Sequence, residues 1–148
     1  MLSESTKETK KIGEKLGKEI LLKKEIVFLS LEGDLGSGKT TFVKGLAKGL
    51  GVDDEIVSPT FLIYKRYSAK NNKTLYHFDA YRISEKDLPL LGFEEIIKEN
   101  KNIIVVEWGE NIRKSIPEKS VKIIFSFVDN NKRKLIVENN NDIIIGSF

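Results

Sequence analysis

One nine-residue string constrains this chain more than any other feature: Gly33-Asp-Leu-Gly-Ser-Gly-Lys-Thr-Thr41. It fits the pattern G-x-x-x-x-G-K-[ST], with Gly33, Gly38, Lys39 and Thr40 at the fixed positions. So short a pattern carries weight only in context, and the context is present on both sides. Before it, Ile26-Val-Phe-Leu-Ser-Leu31 is a short apolar run bounded by charge, which predicts a buried parallel strand. After it, Phe42, Val43, Leu46, Ala47 and Leu50 recur at helical spacing, with Gly49 and Gly51 as stop signals. A strand, a glycine-rich loop and a helix in that order predict a phosphate-binding loop.

The chemistry follows from that geometry. Gly33, Gly36 and Gly38 let the backbone turn through positive φ and lie close to a ligand. Successive N–H groups around Gly36, Ser37 and Gly38 then form an anion cradle. The helix starting near Lys39 adds its free N–H groups and positive dipole end. Lys39 supplies a compact cation for β- and γ-phosphates, and the Thr40 hydroxyl is placed to hold Mg²⁺. Thr41 is expected to bond the α-phosphate side.

Such a loop needs a carboxylate near the metal. Ile103-Ile-Val-Val106 reads as a second continuous apolar strand, and Glu107 at its end fits that place, although Asp is the commoner choice. Glu107 is expected to bind Mg²⁺ directly, bind it through a water, or orient the attacking water. Asp79 ends a different apolar strand and is the other carboxylate expected near the metal or the γ-phosphate. Lys39, Glu107 and Asp79 are thus the catalytic candidates, and Thr40, Glu107 and Asp79 the metal candidates. Thr60 follows Pro59 in a loop and suits either a switch threonine or a strand-capping hydroxyl. Trp108, the single tryptophan, suits packing on a nucleotide or partner and equally a core or surface anchor. His77 alternates with Tyr76 and Phe78, which points to a structural role. Arg82 suits a phosphate, a partner or a nearby acid.

The rest of the chain reads as one α/β domain over 1–148, with the tail from about 139 unassigned. Residues 4–22 predict an amphipathic helix with a Ser5-x-x-Glu8 capping box and Ile12, Leu16 and Ile20 on one face. Residues 52–60 read as a loop. Phe61–Tyr67 and Thr74–Phe78 predict an antiparallel hairpin, with Tyr64, Tyr67 and Tyr76 available for cross-strand packing. Ser84-Glu-Lys-Asp87 reads as a helix start with Pro89 near the beginning, Gly92 breaks the run, and Phe93–Lys98 gives another turn or two. Val121–Phe127 and Lys134–Glu138 predict two strands around Asp129-Asn-Asn131.

Composition excludes several classes. No apolar run approaches the roughly 20 residues of a membrane span, and Met1-Leu-Ser-Glu-Ser-Thr-Lys-Glu lacks the apolar core of a secretory signal. The absence of cysteine excludes disulfides and thiolate metal sites and points to a cytoplasmic protein. A net charge of +3 permits RNA contact without demanding it.

Four motifs in register carry a family resemblance. Gly33-Asp-Leu-Gly-Ser-Gly-Lys-Thr-Thr41, Ser58-Pro-Thr-Phe61, His77-Phe-Asp-Ala-Tyr-Arg82 and Val106-Glu-Trp108 resemble the bacterial TsaE (YjeE) family over residues 3 to about 138. The resemblance implies a single P-loop NTPase-like domain, a mixed parallel and antiparallel sheet flanked by helices, binding ATP or ADP with Mg²⁺. It implies an ATPase required for threonylcarbamoyladenosine in tRNA, working with the TsaB–TsaD pair and resetting that complex. Whether tRNA touches this subunit stays open. By the same resemblance Lys39 and Thr40 take phosphate and metal roles, with Glu107 as metal carboxylate. Asp79 and Thr60 fall in nucleotide-adjacent motifs, Trp108 in the strand-end motif, and Ser3 and Arg133 at positions approaching the nucleotide. Glu107-Trp-Gly departs from relatives that carry Pro or a small residue after Trp.

Two other classes compete. A small-molecule kinase needs an acceptor pocket and usually an arginine-rich lid, and arginine is scarce, at Arg66, Arg82, Arg113 and Arg133. A nucleotide-gated binding module, including a GTPase-like switch, needs no hydrolysis. The guanine-selecting Asn-Lys-x-Asp is missing, since Asn72-Lys73-Thr-Leu75 and Asn131-Lys132-Arg-Lys134 both lack the Asp. With no obvious internal arginine finger, hydrolysis is expected to be slow alone and accelerated by partners.

Overall fold

The computed structural model describes residues 1–59 and 62–139. Seven strands, β1 (Leu2–Ser3), β2 (Val27–Glu32), β3 (Tyr64–Ser68), β4 (Thr74–Asp79), β5 (Asn102–Glu107), β6 (Val121–Phe127) and β7 (Arg133–Asn139), form one sheet in the order β1-β7-β6-β2-β5-β4-β3. β4, β5, β2 and β6 run parallel. β3, β7 and β1 add antiparallel edges.

Both faces of the parallel centre are covered, which is why β2 and β5 read as continuous apolar runs. On one face α1 (Thr6–Ile20) and α2 (Lys39–Gly49) bury Leu16, Phe42 and Leu46 against Leu29, Leu75 and Val105. On the other, Phe93 of α3 (Phe93–Ile96) meets Phe28 and Phe78 edge to face at 6.1 and 5.5 Å.

Several expected elements differ in detail. The first helix is shorter than 4–22. Ser5 caps it by accepting from the Glu8 amide, but the Glu8 carboxylate reaches back to the Glu4 N–H rather than to Ser5 itself. The first hairpin strand starts at Tyr64, after Ile63 turns through φ 65°. Phe61 lies outside the described residues. Tyr64 stacks on Phe78 at 4.8 Å and approaches Tyr76 at 6.0 Å. Tyr67 does not join them. An odd separation from Tyr64 puts it on the opposite face, where it enters the helix-side core. The stretch after Ser84 is two 3-10 turns (Glu85–Asp87 and Pro89–Leu91) before the four-residue α3, because Gly92 interrupts it at φ 70°. β1 and a 3-10 segment over Gly109–Ser115 add to these elements, and neither has a periodic signal in the sequence.

α1 and α2 approach through glycines. A Cβ on Gly45 would collide with the Lys10 carbonyl oxygen, and one on Gly49 with that of Glu14. Gly45→Ala gains about 1 kcal/mol of helix propensity. It also forces two backbones apart, and overpacking costs about 1–3 kcal/mol or more where the obstacle is main chain. The collision prevails, so urea unfolding of Gly45→Ala is expected to show a lower midpoint at unchanged slope. An equal or higher midpoint would refute this packing account.

Candidate functional site

The site lies where the parallel strands end. Leu31 of β2 is opposite Glu107 of β5, and Glu107 is opposite Asp79 of β4. All three strands therefore bring their C-terminal ends to one edge, beneath the loop that connects β2 to α2. This is the crevice that open α/β sheets use for ligands.

The loop has the backbone its glycines allow. Gly33 sits at φ 139° and Gly38, the residue before α2, at φ 106°. Gly33 also has no room for a side chain, since a Cβ there would press on the Phe125 carbonyl oxygen. The first amides of α2 have no carbonyl inside the helix to bond, so they are available at the cleft.

Lys39 folds back under this loop, only 5% exposed. Its Nζ donates to the carbonyl oxygens of Gly33 and of Asp34, the latter at 2.9 Å. The Trp108 ring lies 4.2 Å from the same ammonium. Burial pushes the Lys39 ammonium below its ordinary range, while the carboxylates of Glu107, Glu110, Asp34 and Asp79 oppose that shift. Trp108 holds its position in the left-handed region, at φ 61° and ψ 40°, and its ring is 4.9 Å from that of Tyr81.

Glu107 is buried, 3% exposed, and both carboxylate oxygens are occupied. Oε1 accepts from the Thr40 hydroxyl at 2.7 Å, and Oε2 lies 2.6 Å from His77 Nε2. Asp79 accepts from the Tyr81 amide at 2.9 Å and stands 3.4 Å from the Ser58 hydroxyl.

These groups line an open cleft of about 310 Å³. Of the residues nominated from sequence, Gly36, Ser37, Gly38, Lys39, Thr40, Thr41, Asp79, Glu107 and Trp108 line it. Gly33 lies at the foot of the loop, behind that lining. Arg133 braces the loop from outside, donating to the Gly36 carbonyl oxygen at 3.3 Å and stacking over Phe127 at 4.3 Å. Ser3 is buried away from the cleft, its hydroxyl bonded to Thr9 at 2.7 Å and to the Ser5 carbonyl oxygen at 3.0 Å. Thr60 lies outside the described residues.

Ser58, Tyr81 and Arg82 also line the cleft, although sequence reasoning gave them no firm place there. His77, expected from its strand position to be structural, is fully buried and touches Glu107. The signal was strand parity. Leu75, His77 and Asp79 share one face of β4, and a histidine on an apolar face directly before a candidate carboxylate needs a polar partner.

The chain is similar to known proteins over most of its length. The family model described as "Threonylcarbamoyl adenosine biosynthesis protein TsaE" matches residues 3–135. A Treponema pallidum protein named tRNA threonylcarbamoyladenosine biosynthesis protein TsaE is 36% identical over 137 residues, covering 92% of this chain and 97% of the relative. One of the same name from Rickettsia conorii is 40% identical over 131 residues, 87% of this chain and 71% of the relative. The crystal structure of YdiB from Bacillus subtilis superposes with a TM-score of 0.74 at 31% identity, covering 96% of this chain and 85% of that one. With that match over nearly the whole length, and with the phosphate loop and strand-end carboxylates that the fold assembles, the chain belongs to the TsaE family.

Proposed function

We propose that this protein is a Mg²⁺-dependent ATPase serving tRNA threonylcarbamoyladenosine biosynthesis, built as one domain. The observation that carries this reading is the set formed by Lys39 and the Thr40–Glu107 pair at the start of α2. An ammonium, two hard oxygen donors and a turn of helix amides converge on one cleft.

The donor set suits Mg²⁺. That ion prefers oxygen, takes one or two protein ligands, and fills its remaining positions with phosphate and water. Thr40 Oγ1 and Glu107 Oε1, 2.7 Å apart, are such a pair. Among the described residues no three acidic, histidine or cysteine side chains gather into a metal-holding group. Bound there, Mg²⁺ supplies neutralisation of charge on the phosphate oxygens.

The chain's own residues do the rest. Amides around Gly36, Gly38 and Lys39 hold the phosphate tail, and the Lys39 ammonium faces the charge that builds on the transferred group. Trp108 shields that ammonium from water on one side. Asp79 stands at the cleft wall and orients the attacking water. Arg133, and Ser3 through Thr9, brace the phosphate loop from its outer side, and Thr60 is assigned to the nucleotide.

Several exposed apolar residues cluster in this part of the fold. Leu35 and Tyr81 line the cleft while 78% and 52% exposed, and Phe127, against Gly36, is 51% exposed. This rim supports docking of the TsaB–TsaD pair over the nucleotide, with turnover resetting that assembly. No helix among the described residues is long and apolar enough to cross a membrane. The cytoplasm is the compartment where such partners and tRNA meet.

Three outcomes follow. Lys39→Ala removes a charge-assisted contact of about 1.5–3 kcal/mol, so calorimetry is expected to show ATP affinity falling about tenfold to a hundredfold. Unchanged affinity would end the phosphate-loop reading. Glu107→Gln keeps the shape and removes the charge. Phosphate release is expected to fall about a hundredfold, with ATP affinity in EDTA nearly unchanged, and undiminished release would remove Glu107 from catalysis. Retention on immobilised TsaB–TsaD is expected to differ between ATP, ADP and no nucleotide, and adding the pair is expected to raise turnover. Equal retention together with unaltered turnover would sink the partner assignment.

A further inference from the structure

His77 is the only histidine of the chain, and its side chain is fully buried on the helix face of β4. A leucine or valine would fill that place without burying a polar atom. Instead Nε2 lies 2.6 Å from Glu107 Oε2, and Nδ1 is buried with no hydrogen-bond partner. Packing alone does not account for a buried ring nitrogen left bare. The contact with Glu107 does. An ionised carboxylate only accepts, so Nε2 carries the proton and donates it, and Nδ1 is the bare nitrogen.

The consequence is geometric. A carboxylate bonded at one oxygen can still swing about its side-chain torsions. Glu107 is bonded at both, with Thr40 donating to Oε1 at 2.7 Å and His77 donating to Oε2. His77 stands on β4 and Thr40 on α2, so the carboxylate is gripped from two separate elements.

Resting on the reading of Glu107 as the Mg²⁺ carboxylate, we propose that His77 is a positioning residue: its Nε2–H pins Oε2, so that Oε1 stays beside Thr40 as a preset donor pair for the divalent ion. His77 does not touch the nucleotide. It acts only through Glu107, and its effect is confined to the part of nucleotide binding that depends on metal. Hydrogen-bond partners of a metal-ligating carboxylate typically change metal affinity by about tenfold to a hundredfold.

The test separates that part from everything else. Affinity for a non-hydrolysable ATP analogue is measured by calorimetry with Mg²⁺ and with EDTA, in the unaltered protein, His77→Leu and His77→Gln. His77→Leu is expected to keep its EDTA affinity within about twofold and to lose about tenfold of the Mg²⁺-dependent gain. His77→Gln, whose amide can donate from a similar reach, is expected to recover most of that gain. A full gain in His77→Leu overturns the inference alone. No gain in the unaltered protein overturns the metal reading and this inference with it. Because the chain has one histidine, ¹⁵N-histidine NMR of the unaltered protein gives a second readout that does not depend on a variant folding. It is expected to show the Nε2–H tautomer and a ring signal that moves when Mg²⁺ joins the nucleotide-loaded protein. A proton on Nδ1, or a signal indifferent to Mg²⁺, overturns the inference.

Discussion

The register of the parallel strands governs everything at the cleft. β5 carries apolar residues on both faces, with Ile103 and Val105 toward the helices and Ile104 and Val106 toward the opposite core. For those four, a slip by one residue exchanges like for like and costs little. The ends of the strand decide. At one end the Asn102 side chain donates to the Ile96 carbonyl oxygen at 2.9 Å, and at the other Glu107 meets Thr40 and His77. A one-residue slip would turn Glu107 into the aromatic layer around Phe28, Phe78 and Phe93, leaving a charge without donors. Losing the partners of a buried charge typically costs about 3–5 kcal/mol. The polar groups that form the site are therefore the same groups that fix how the sheet pairs.

That economy explains why the interior tolerates so many polar atoms. Glu107 and Lys39 are both nearly inaccessible, and they are not bonded to each other. Lys39 is satisfied by loop carbonyls and Glu107 by a hydroxyl and an imidazole. Each charge keeps its own neutral partners, so no ion pair ties the two together. Trp108 completes the arrangement at some local cost, since a non-glycine residue in the left-handed region is strained by about 1 kcal/mol or more. The strain places its ring against the Lys39 ammonium.

Much of this architecture is legible in the sequence, and the reasons are physical. The phosphate loop was legible because a strand, a loop and a helix impose three different patterns within a short span. β6 was legible to the residue because it alternates burial along Val121–Phe127. Elements held only by distant partners were not. β1 is two residues long and exists because Ser3 and Leu2 pair with Arg133 and Lys134 of β7. The 3-10 segment after Trp108, kinked at Ile112, has no 3.6-residue period to detect. Of the hairpin tyrosines, Tyr64 and Tyr76 pack together as their spacing suggests, and only Tyr67 falls on the other face, because a side chain's parity matters more than its neighbours in sequence.

The two chain positions nominated from opposite ends, Ser3 and Arg133, meet in the fold, and their meeting shows how the loop is held. They are paired across β1 and β7, and the N-terminal ammonium donates to the Leu135 carbonyl oxygen at 2.8 Å. From this edge Arg133 bonds the Gly36 carbonyl oxygen, and the Ser3 hydroxyl bonds Thr9, whose methyl group faces Gly38. The outer wall of the phosphate loop is thus built by the terminal strand, the start of α1 and the last hairpin together. A loop rich in glycine has little stiffness of its own, because each glycine surrenders more conformational freedom on ordering than any other residue. The wall supplies that stiffness from outside, where side chains can pack without entering the space that phosphates need. Support on the outer side and open amides on the inner side are therefore two halves of one solution.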